Sequence, residues 1–285
     1  MAYILLFITN LLVFFIIFIN RNAVNNNARV QTLGVWITGS SMIFSLIFAL
    51  ITNDLVISKY ATIFGMLTGI SYAFGYLIIM FYCLKIGPSG PTVTINNLGL
   101  LWVVILGIVL DWNIKKPSII VILGISDTIS SLALISKNGN RNDKKNINTK
   151  WIKLIFLCFI FSGISNAASF LATRFDQKNS IAFTIAMQGT SFIILIIISC
   201  VKKTLRPNII EIRSGILTGA ITFINIPLIF YITTLIPGYL VFPIVSAGPI
   251  VLVLLFANFV YKERLNIFGW LSCVIGVAGI ILMNF

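Results

Sequence analysis

One carboxyl group lies where an apolar sequence rarely carries one. Asp127 falls near the middle of the run IIVILGISDTISSLALI, and no lysine or arginine lies in the interior of a predicted span to neutralise it. Lys153 and Arg213 lie only at the starts of their spans. A charged aspartate at the centre of a membrane helix costs about 2.5 to 3.5 kcal/mol, so such residues are usually paired, protonated or in contact with a polar cavity. Asp127 either binds a coupling proton or cation, or is a protonated carboxyl group in a helix contact. The second role would use nearby hydroxyl groups, which are Ser126, Thr128, Ser130 and Ser131.

Side-chain amides inside apolar runs form the second group of candidate residues. They are Asn96, Asn97, Asn166, Gln188 and Asn225. An unpaired amide in lipid is costly, so each one must bond to another helix or line a hydrated cavity. Each amide alone fits either role, but their spread along the chain favours a polar cavity that binds a solute.

Prolines and aromatic residues within the apolar runs add to this predicted cavity. Pro227, Pro243 and Pro249 each remove a backbone donor, and Gly248 loosens the turn beside Pro249. The freed carbonyl groups bind solute donors or cations if they face a cavity, and otherwise the prolines only kink their helices. The aromatic side chains predicted to form cavity walls are Trp36, Tyr72, Tyr76 and Tyr231.

The sequence lacks the residues that most catalytic and metal-binding sites need. There is no histidine, and the four cysteines show no CxxC spacing, so we predict no metal site, no cofactor and no catalytic residue. No GxxxxGK[ST] loop occurs, which excludes direct drive by ATP. An intramembrane aspartyl protease needs two membrane aspartates, and the predicted spans contain one. An intramembrane enzyme or a non-transporting membrane subunit is therefore the alternative hypothesis.

The elements that must position these residues are membrane helices. The chain has 285 residues, of which 59% are apolar and 9% are charged, whereas soluble domains are about 25% charged. A span needs about 20 apolar residues, and the apolar runs lack the strict alternation of barrel strands. We predict an all-α membrane protein with ten transmembrane helices, at residues 2–19, 31–51, 60–84, 91–110, 117–136, 151–172, 180–201, 213–235, 238–260 and 265–284.

The two halves of the sequence resemble each other. A shift of 149 residues aligns Pro88 with Pro237 and Gly99 with Gly248, and it also aligns Ile95 with Ile244. Self-similarity at half the chain length indicates duplication of one membrane unit. We predict a five-helix repeat at 1–136, a basic connecting loop at 137–150 and a second five-helix repeat at 151–285. Because five is odd, the second repeat is inverted relative to the first.

The basic residues indicate an orientation in the membrane. The formal net charge is +13, but the basic residues lie at the ends of apolar runs, which fits contact with lipid headgroups and not with nucleic acid. Of the lysines and arginines, 15 fall on one predicted side and 5 on the other. Basic loops stay in the cytoplasm, so the loop between the halves is predicted to be cytoplasmic and both termini external.

Several segments resemble a known family of transporters. The segments GPSGPTVTINNLG and PGYLVFPIVSAGP, the YKERL turn and the closing IFGWLSCVIGVAGIILM resemble the repeat ends of ten-helix EamA-type members of the drug/metabolite transporter superfamily. The second half is more similar, because Lys262-Glu263-Arg264-Leu265 fits the family's turn whereas residues 111–114 of the first half depart from it. The resemblance implies a cavity lined by predicted helices 1, 3, 4, 6, 8 and 9. The membrane glutamate of the small multidrug resistance relatives has no counterpart within 31–51 or 180–201.

These observations together predict a secondary transporter. It would carry a small metabolite, amino acid or drug-like solute across the inner (plasma) membrane by alternating access, with Asp127 as the candidate for proton coupling and uncoupled facilitation as the alternative. The expected partners are the small-molecule substrate and membrane lipid. A monomer is expected, because ten helices already supply the paired arrangement that four-helix relatives reach as dimers.

Overall fold

The computed structural model describes residues 1–53, 58–86, 96, 98–111, 118–135, 149–204, 206–260 and 267–282. These ranges are helical and contain no strand, which confirms the predicted all-α class. Asn97 of the predicted cavity lies outside the described residues. In chain order the elements are α1 (Ala2–Asn25), α2 (Val30–Thr52), α3 (Lys59–Ser71), a π-helix (Tyr72–Met80), α4 (Phe81–Ile86), a 3-10 turn (Leu98–Leu100), α5 (Leu101–Asp111), α6 (Ile119–Ile135), α7 (Thr149–Phe175), α8 (Ser180–Val201), α9 (Ile209–Leu235), α10 (Gly238–Val260) and α11 (Ile267–Leu282).

Long apolar helices dominate the described part of the chain. Six stretches within it are long and apolar enough to cross a membrane, and a shorter apolar helix covers Leu98–Gly107. The count of ten spans stays a prediction. The six stretches are Ala2–Asn25, Val30–Thr52, Lys59–Met80, Thr149–Phe175, Ser180–Val201 and Ile209–Leu235.

Helix α9 begins at Ile209, four residues before the predicted start. Asn208 caps it, and the Glu211 carboxylate in its first turn accepts a hydrogen bond from the backbone N–H of Asn208 at 2.8 Å. This reciprocal capping box satisfies backbone donors that a helix start otherwise leaves unpaired. The prediction from hydropathy missed this turn because Glu211 makes it polar.

Glycines form two matching close contacts between the halves. In α3, a methyl group on Gly65 would lie 2.7 Å from the carbonyl oxygen of Phe183 in α8, and one on Gly69 would meet the carbonyl oxygen of Met187. In α9, a methyl group on Gly219 would lie 2.7 Å from the carbonyl oxygen of Ile37 in α2. Small residues four apart let helix backbones approach this closely. We call these two contacts, α3 with α8 and α2 with α9, the glycine seams.

The contact between α2 and α8 lies between these seams. A methyl group on Gly39 would lie 2.7 Å from Cε2 of Phe192, and one on Gly189 would lie 3.3 Å from the sulfur of Met42. Each of these α2 residues is 150 positions before its α8 equivalent. The two helices therefore present equivalent surfaces to each other at this crossing.

The long helix that begins with α3 is π-helical where its counterpart in the second half contains a proline. The step from Gly69 to Pro88 in the sequence is one residue longer than the step from Gly219 to Pro237. A π-turn closes over one more residue than an α-turn, so the stretch Tyr72–Met80 can absorb an added residue. The equivalent part of α9 contains Pro227.

Two polar contacts mark opposite ends of the helix bundle. At one end Arg29, the N-cap of α2, bonds to Glu211 of α9 through its backbone N–H at 2.7 Å and through Nε at 3.0 Å. We call this contact the first joint. At the other end Asp176, after α7, accepts hydrogen bonds from the Ser58 hydroxyl and, at 3.2 Å, from the backbone N–H of Ala61 in α3. We call this contact the second joint.

Candidate solute-binding site

An apolar cluster closes the bundle toward the second joint. It draws side chains from α1, α5, α6, α9 and α10 around the 3-10 turn. Burial of apolar surface stabilises such a cluster, and water that entered it would lose hydrogen bonds. We call it the apolar cluster, and its buried members are Leu6, Leu100, Val104, Ile125, Ile232, Tyr239, Val241 and Ile244.

Three asparagines lie one helical turn from this cluster, on the side of the first joint. Asn10 follows Leu6 by four residues in α1. Asn225 precedes Ile229 by four residues in α9, and Asn96 precedes Leu100 by four. We call Asn10, Asn96 and Asn225 the asparagine layer.

The direction of each helix puts the three asparagines on the same side of the apolar cluster. Helix α1 ends just before Arg29 and therefore runs toward the first joint, whereas α9 begins there. Helix α5 also runs away from the first joint, because its Leu110 carbonyl accepts a hydrogen bond at 3.3 Å from Arg174, near the second joint. A four-residue step toward the first joint covers about 6 Å on α1 and on α9.

Asn225 faces α1. The Thr218 hydroxyl of α9 donates to Oδ1 of Asn20 in α1 at 3.1 Å, which fixes the register of these antiparallel helices. Asn225 follows Thr218 by seven residues, or two turns, and therefore lies on the same helix face. Asn10 reaches α10, where a methyl group on Gly248 would lie 2.7 Å from the Asn10 amide. The layer thus joins α1, α9 and α10 near mid-span.

The three amides differ in their hydrogen bonds. Asn96 accepts a bond from the Cys158 thiol at 3.2 Å, and its carbonyl oxygen accepts one from the Ser162 hydroxyl at 2.7 Å. Oδ1 of Asn10 and Oδ1 of Asn225 have no hydrogen-bond partner among the described residues. These two side chains are only 8% and 6% exposed. A buried amide without a partner costs about 1 to 3 kcal/mol, so a ligand or water that bonds to it gains stability.

The other side of the layer is loosely packed. No residue of α1 from Leu11 to Asn22 is buried, although this stretch covers three turns. No residue of α9 from Ala220 to Ile224 is buried either. A helix packed continuously against protein buries a residue on nearly every turn. The asparagine layer is therefore sealed by the apolar cluster on one side and bordered by partly exposed side chains on the side of the first joint.

The remaining predicted cavity residues do not all meet at this layer. Trp36 packs against Gly215 in a glycine seam, and Tyr231 is 47% exposed on α9. Tyr72 and Tyr76 both lie in the π-helix, and the side chain of Tyr76 lies outside the described part of the structure. Asn166 is half-buried on α7.

The prolines and the glutamine are buried in different helices. Pro243 and Pro249 are buried in α10, next to the Gly248 contact with Asn10. Gln188 is 1% exposed on the stripe of α8 that also contains Ser191, whose hydroxyl bonds to the Gly69 carbonyl at 2.9 Å. Oε1 of Gln188 has no partner within the described ranges. Gln188 is therefore a separate buried polar residue near the glycine seam between α3 and α8.

Asp127 lies away from the asparagine layer. Helix α6 packs mainly against α11, and its residues Ile125 and Ile129 pack into the apolar cluster. Asp127 is about half a turn around the helix from both isoleucines and is partly exposed. Its neighbour Ser126 donates to the Leu123 carbonyl of the same helix at 2.8 Å. None of the described residues bonds to the Asp127 carboxyl group.

The prediction from sequence missed Asn10. The residue stands alone in the apolar run LLFITNLLVFF, and that isolation was the available signal. Asn96 and Asn225 were predicted from the same kind of signal. No group of three or more cysteine, aspartate or glutamate side chains that could hold a metal occurs among the described residues.

Comparisons with known proteins agree with a transporter fold. Residues 149–285 match the model of the EamA-like transporter family. These residues make up just under half of the chain, and together with six long apolar helices the match indicates a multi-pass membrane protein. The family consists of transporters and not of enzymes. No curated protein matches the chain.

The fold extends beyond the matched half. A crystal structure with a TM-score of 0.77 covers 99% of this chain, which in turn covers 95% of that protein. The identity is 13%, so this likeness concerns the fold alone. The first half therefore takes part in the same architecture as the half that matches the family.

Proposed function

We propose that the protein is a secondary transporter that carries a small solute across the membrane by alternating access. The observation that carries the proposal is the asparagine layer. Two buried amide oxygens that have no partner among the described residues lie between an apolar cluster that closes one side and a loosely packed region on the other. A site that is closed on one side and accessible on the other is what alternating access requires at each stage of its cycle.

Equivalent contacts support the two inverted five-helix repeats that this mechanism uses. Gly65 and Gly69 contact α8 as Gly215 and Gly219 contact α2, each 150 residues later. The partner residues differ by the same interval, since Met187 corresponds to Ile37 and Thr190 to Ser40. Reciprocal contacts at one constant interval are expected of a two-fold axis between repeats at 1–136 and 151–285, joined by the loop at 137–150.

The accessible side of the layer is proposed to be cytoplasmic. It faces the first joint, where Arg29 donates to the carbonyl of Arg206. The charge distribution of the loops assigns this end to the cytoplasm and both termini to the outside. The structure would then represent the inward-open stage in an inner membrane.

Asp127 is the proposed proton site, separate from the solute site. A charged carboxyl group within a membrane helix is costly, which makes Asp127 the candidate coupling group. The opposite face of α6 enters the apolar cluster that closes the outer side, so protonation of Asp127 would act on that cluster through a shift of α6. Facilitated transport without a coupled ion is the second candidate.

An exchange assay tests the transport proposal. Proteoliposomes are loaded with a mixture of isotope-labelled amino acids, nucleosides, sugars and amines, and the unlabelled mixture is added outside. We expect at least one labelled solute to exchange faster than from protein-free liposomes, as measured by mass spectrometry. No exchange of any solute by protein that still unfolds cooperatively would contradict transport of these solute classes.

The same liposomes test coupling. With a pH gradient across the membrane, we expect Asp127→Asn to abolish proton-driven accumulation of the solute while exchange continues. Ser126→Ala is the control, because its hydroxyl bonds only to its own helix. If accumulation by Asp127→Asn follows the pH gradient as before, Asp127 is not the coupling group.

A further inference from the structure

We infer that the asparagine layer binds a solute that forms hydrogen bonds and carries no net charge, with Asn10 and Asn225 as its direct contacts. This inference rests on the proposed transport function and names its substrate class. Asn10 and Asn225 lie on helices in register and present amides with unused bonding capacity. Hydroxyl, amide or amino groups of a solute would fill that capacity.

The surroundings of the layer exclude a compensating charge. The sequence contains no charged residue from Ala2 to Asn20, from Ser214 to Leu235 or from Gly238 to Val260, which are the helix parts that meet at the layer. Asp127 is on α6, on the far side from the residues that enter the apolar cluster. A solute with net charge would lose its hydration here without an ion to pair with, which is strongly unfavourable.

Either orientation of the Asn10 and Asn225 amides can bind such a solute. The oxygen and nitrogen of an asparagine side chain exchange places in a flip, and the hydrogen-bond network decides between them. An amide offers an acceptor and two donors, so either orientation presents an uncharged bonding group. A solute that carries balanced charges at its other end satisfies the same condition, because its net charge is zero.

Thiol reagents of different charge can probe the layer without knowledge of the solute. A background variant carries Cys158→Ser, which keeps a donor for Asn96, and the other three cysteines replaced by alanine. Asn225→Cys is added, and its reaction with hydroxyethyl, trimethylammonioethyl and sulfonatoethyl methanethiosulfonates is followed by mass spectrometry. Each rate is divided by the rate of the same reagent with the denatured protein.

We expect the neutral hydroxyethyl reagent to have at least a ten-fold higher normalised rate than either charged reagent. Ile229→Cys, one turn away in the apolar cluster, should not react in the same time. Equal rates for all three reagents would overturn the inference, because the layer would then accept charge. Absence of reaction with every reagent would also overturn it, because the layer would then be a dry helix contact.

A charge introduced into the layer should reverse the preference. In the same background, Asn10→Cys is compared with and without Asn225→Asp, a change of almost constant size. We expect Asn225→Asp to raise the relative rate of the cationic reagent at least ten-fold. No change would show that Asn10 and Asn225 do not share one site. These results stand apart from the exchange assay, so a protein without transport would still report whether the layer is hydrated and selective for neutral molecules.

Discussion

The two joints each connect a turn to the start of a helix, but they use different residues to do so. At the first joint the turn between α1 and α2 is fastened to the start of α9, and at the second joint the turn after α7 is fastened to the start of α3. In the first, the carboxylate belongs to the helix start and is fully buried at Glu211. In the second, the carboxylate belongs to the turn, at Asp176, and is only partly buried. The two contacts therefore connect a turn to a helix start in the same way but use different residues.

Because their hydrogen-bond donors differ, the two joints should differ in how strongly they hold their helices. Glu211 accepts hydrogen bonds from the backbone N–H groups of Arg29 and Asn208 and from the Arg29 guanidinium. Its hydrogen bonds and charge hold the pKa of Arg29 above the usual value, so the pair stays ionised at any physiological pH. Asp176 accepts two bonds from the start of α3 and one from the Asn179 amide at 2.6 Å, all from uncharged groups. The second joint should therefore be the easier of the two to open.

The largest expected effect is that of removing the cation at the first joint. Arg29→Leu leaves the Glu211 carboxylate buried without a counter-ion, which costs about 3 kcal/mol, the low end of such changes because the Arg29 side chain is 40% exposed. The melting temperature in detergent should fall by roughly 6 to 12 °C. Arg29→Lys keeps the charge and should lose less. If Arg29→Leu lowered the melting temperature no more than Asp176→Ala does, the two joints would be equally strong.

The glycine seams should respond equally in both halves. Gly69→Ala would push a methyl group against the Met187 carbonyl, and Gly219→Ala would push one against Ser40 and the Ile37 carbonyl. Overpacking of this kind costs about 1 to 3 kcal/mol, measured as a loss of thermal stability. Gly189→Ala is the matched control, because it meets only the flexible Met42 side chain at 3.3 Å. Unequal losses for the two seam variants would contradict the proposed two-fold relation.

The smallest effect is expected at the second joint. Asp176→Ala removes a cap from the start of α3, and loss of a cap costs about 1 kcal/mol, or roughly 2 to 4 °C in melting temperature. Asp176→Asn keeps an acceptor for the Ala61 N–H and should lose less than Asp176→Ala. A fall as large as that of Arg29→Leu would show that partial burial does not weaken this joint.

Much of the fold could be predicted from sequence because it follows from local pattern. Apolar runs predict helices, and the described helices agree with the predicted ones to within a few residues over most of the chain. Differences occur where side chains outside the apolar pattern decide the boundary, as at Glu211. The glycine contacts follow an interval of 150 residues, one more than the predicted shift of 149, which stays a prediction for the segments after the π-helix.

The site was harder to predict because it depends on contacts between distant segments. Asn225 and Asn96 were candidates as buried amides, but their shared level appears only once α1, α5 and α9 are in register. Asn10 carried the same signal and was missed. The pairing of Arg29 with Glu211 is likewise a long-range contact, and the sequence showed those residues only as loop and helix-end charges.

The equivalent helices of the two halves are both weakened at the same depth, by the π-helix in one and by Pro227 in the other. Each therefore has a bend point, a place where the helix can bend, next to the asparagine layer. In the proposed transport cycle, the segments that carry the glycine seams stay fixed while the segments beyond each bend point move, so access to the asparagine layer changes at one face without disturbing the interface between the halves. A bundle of uninterrupted rods would have to tilt as a whole to do the same.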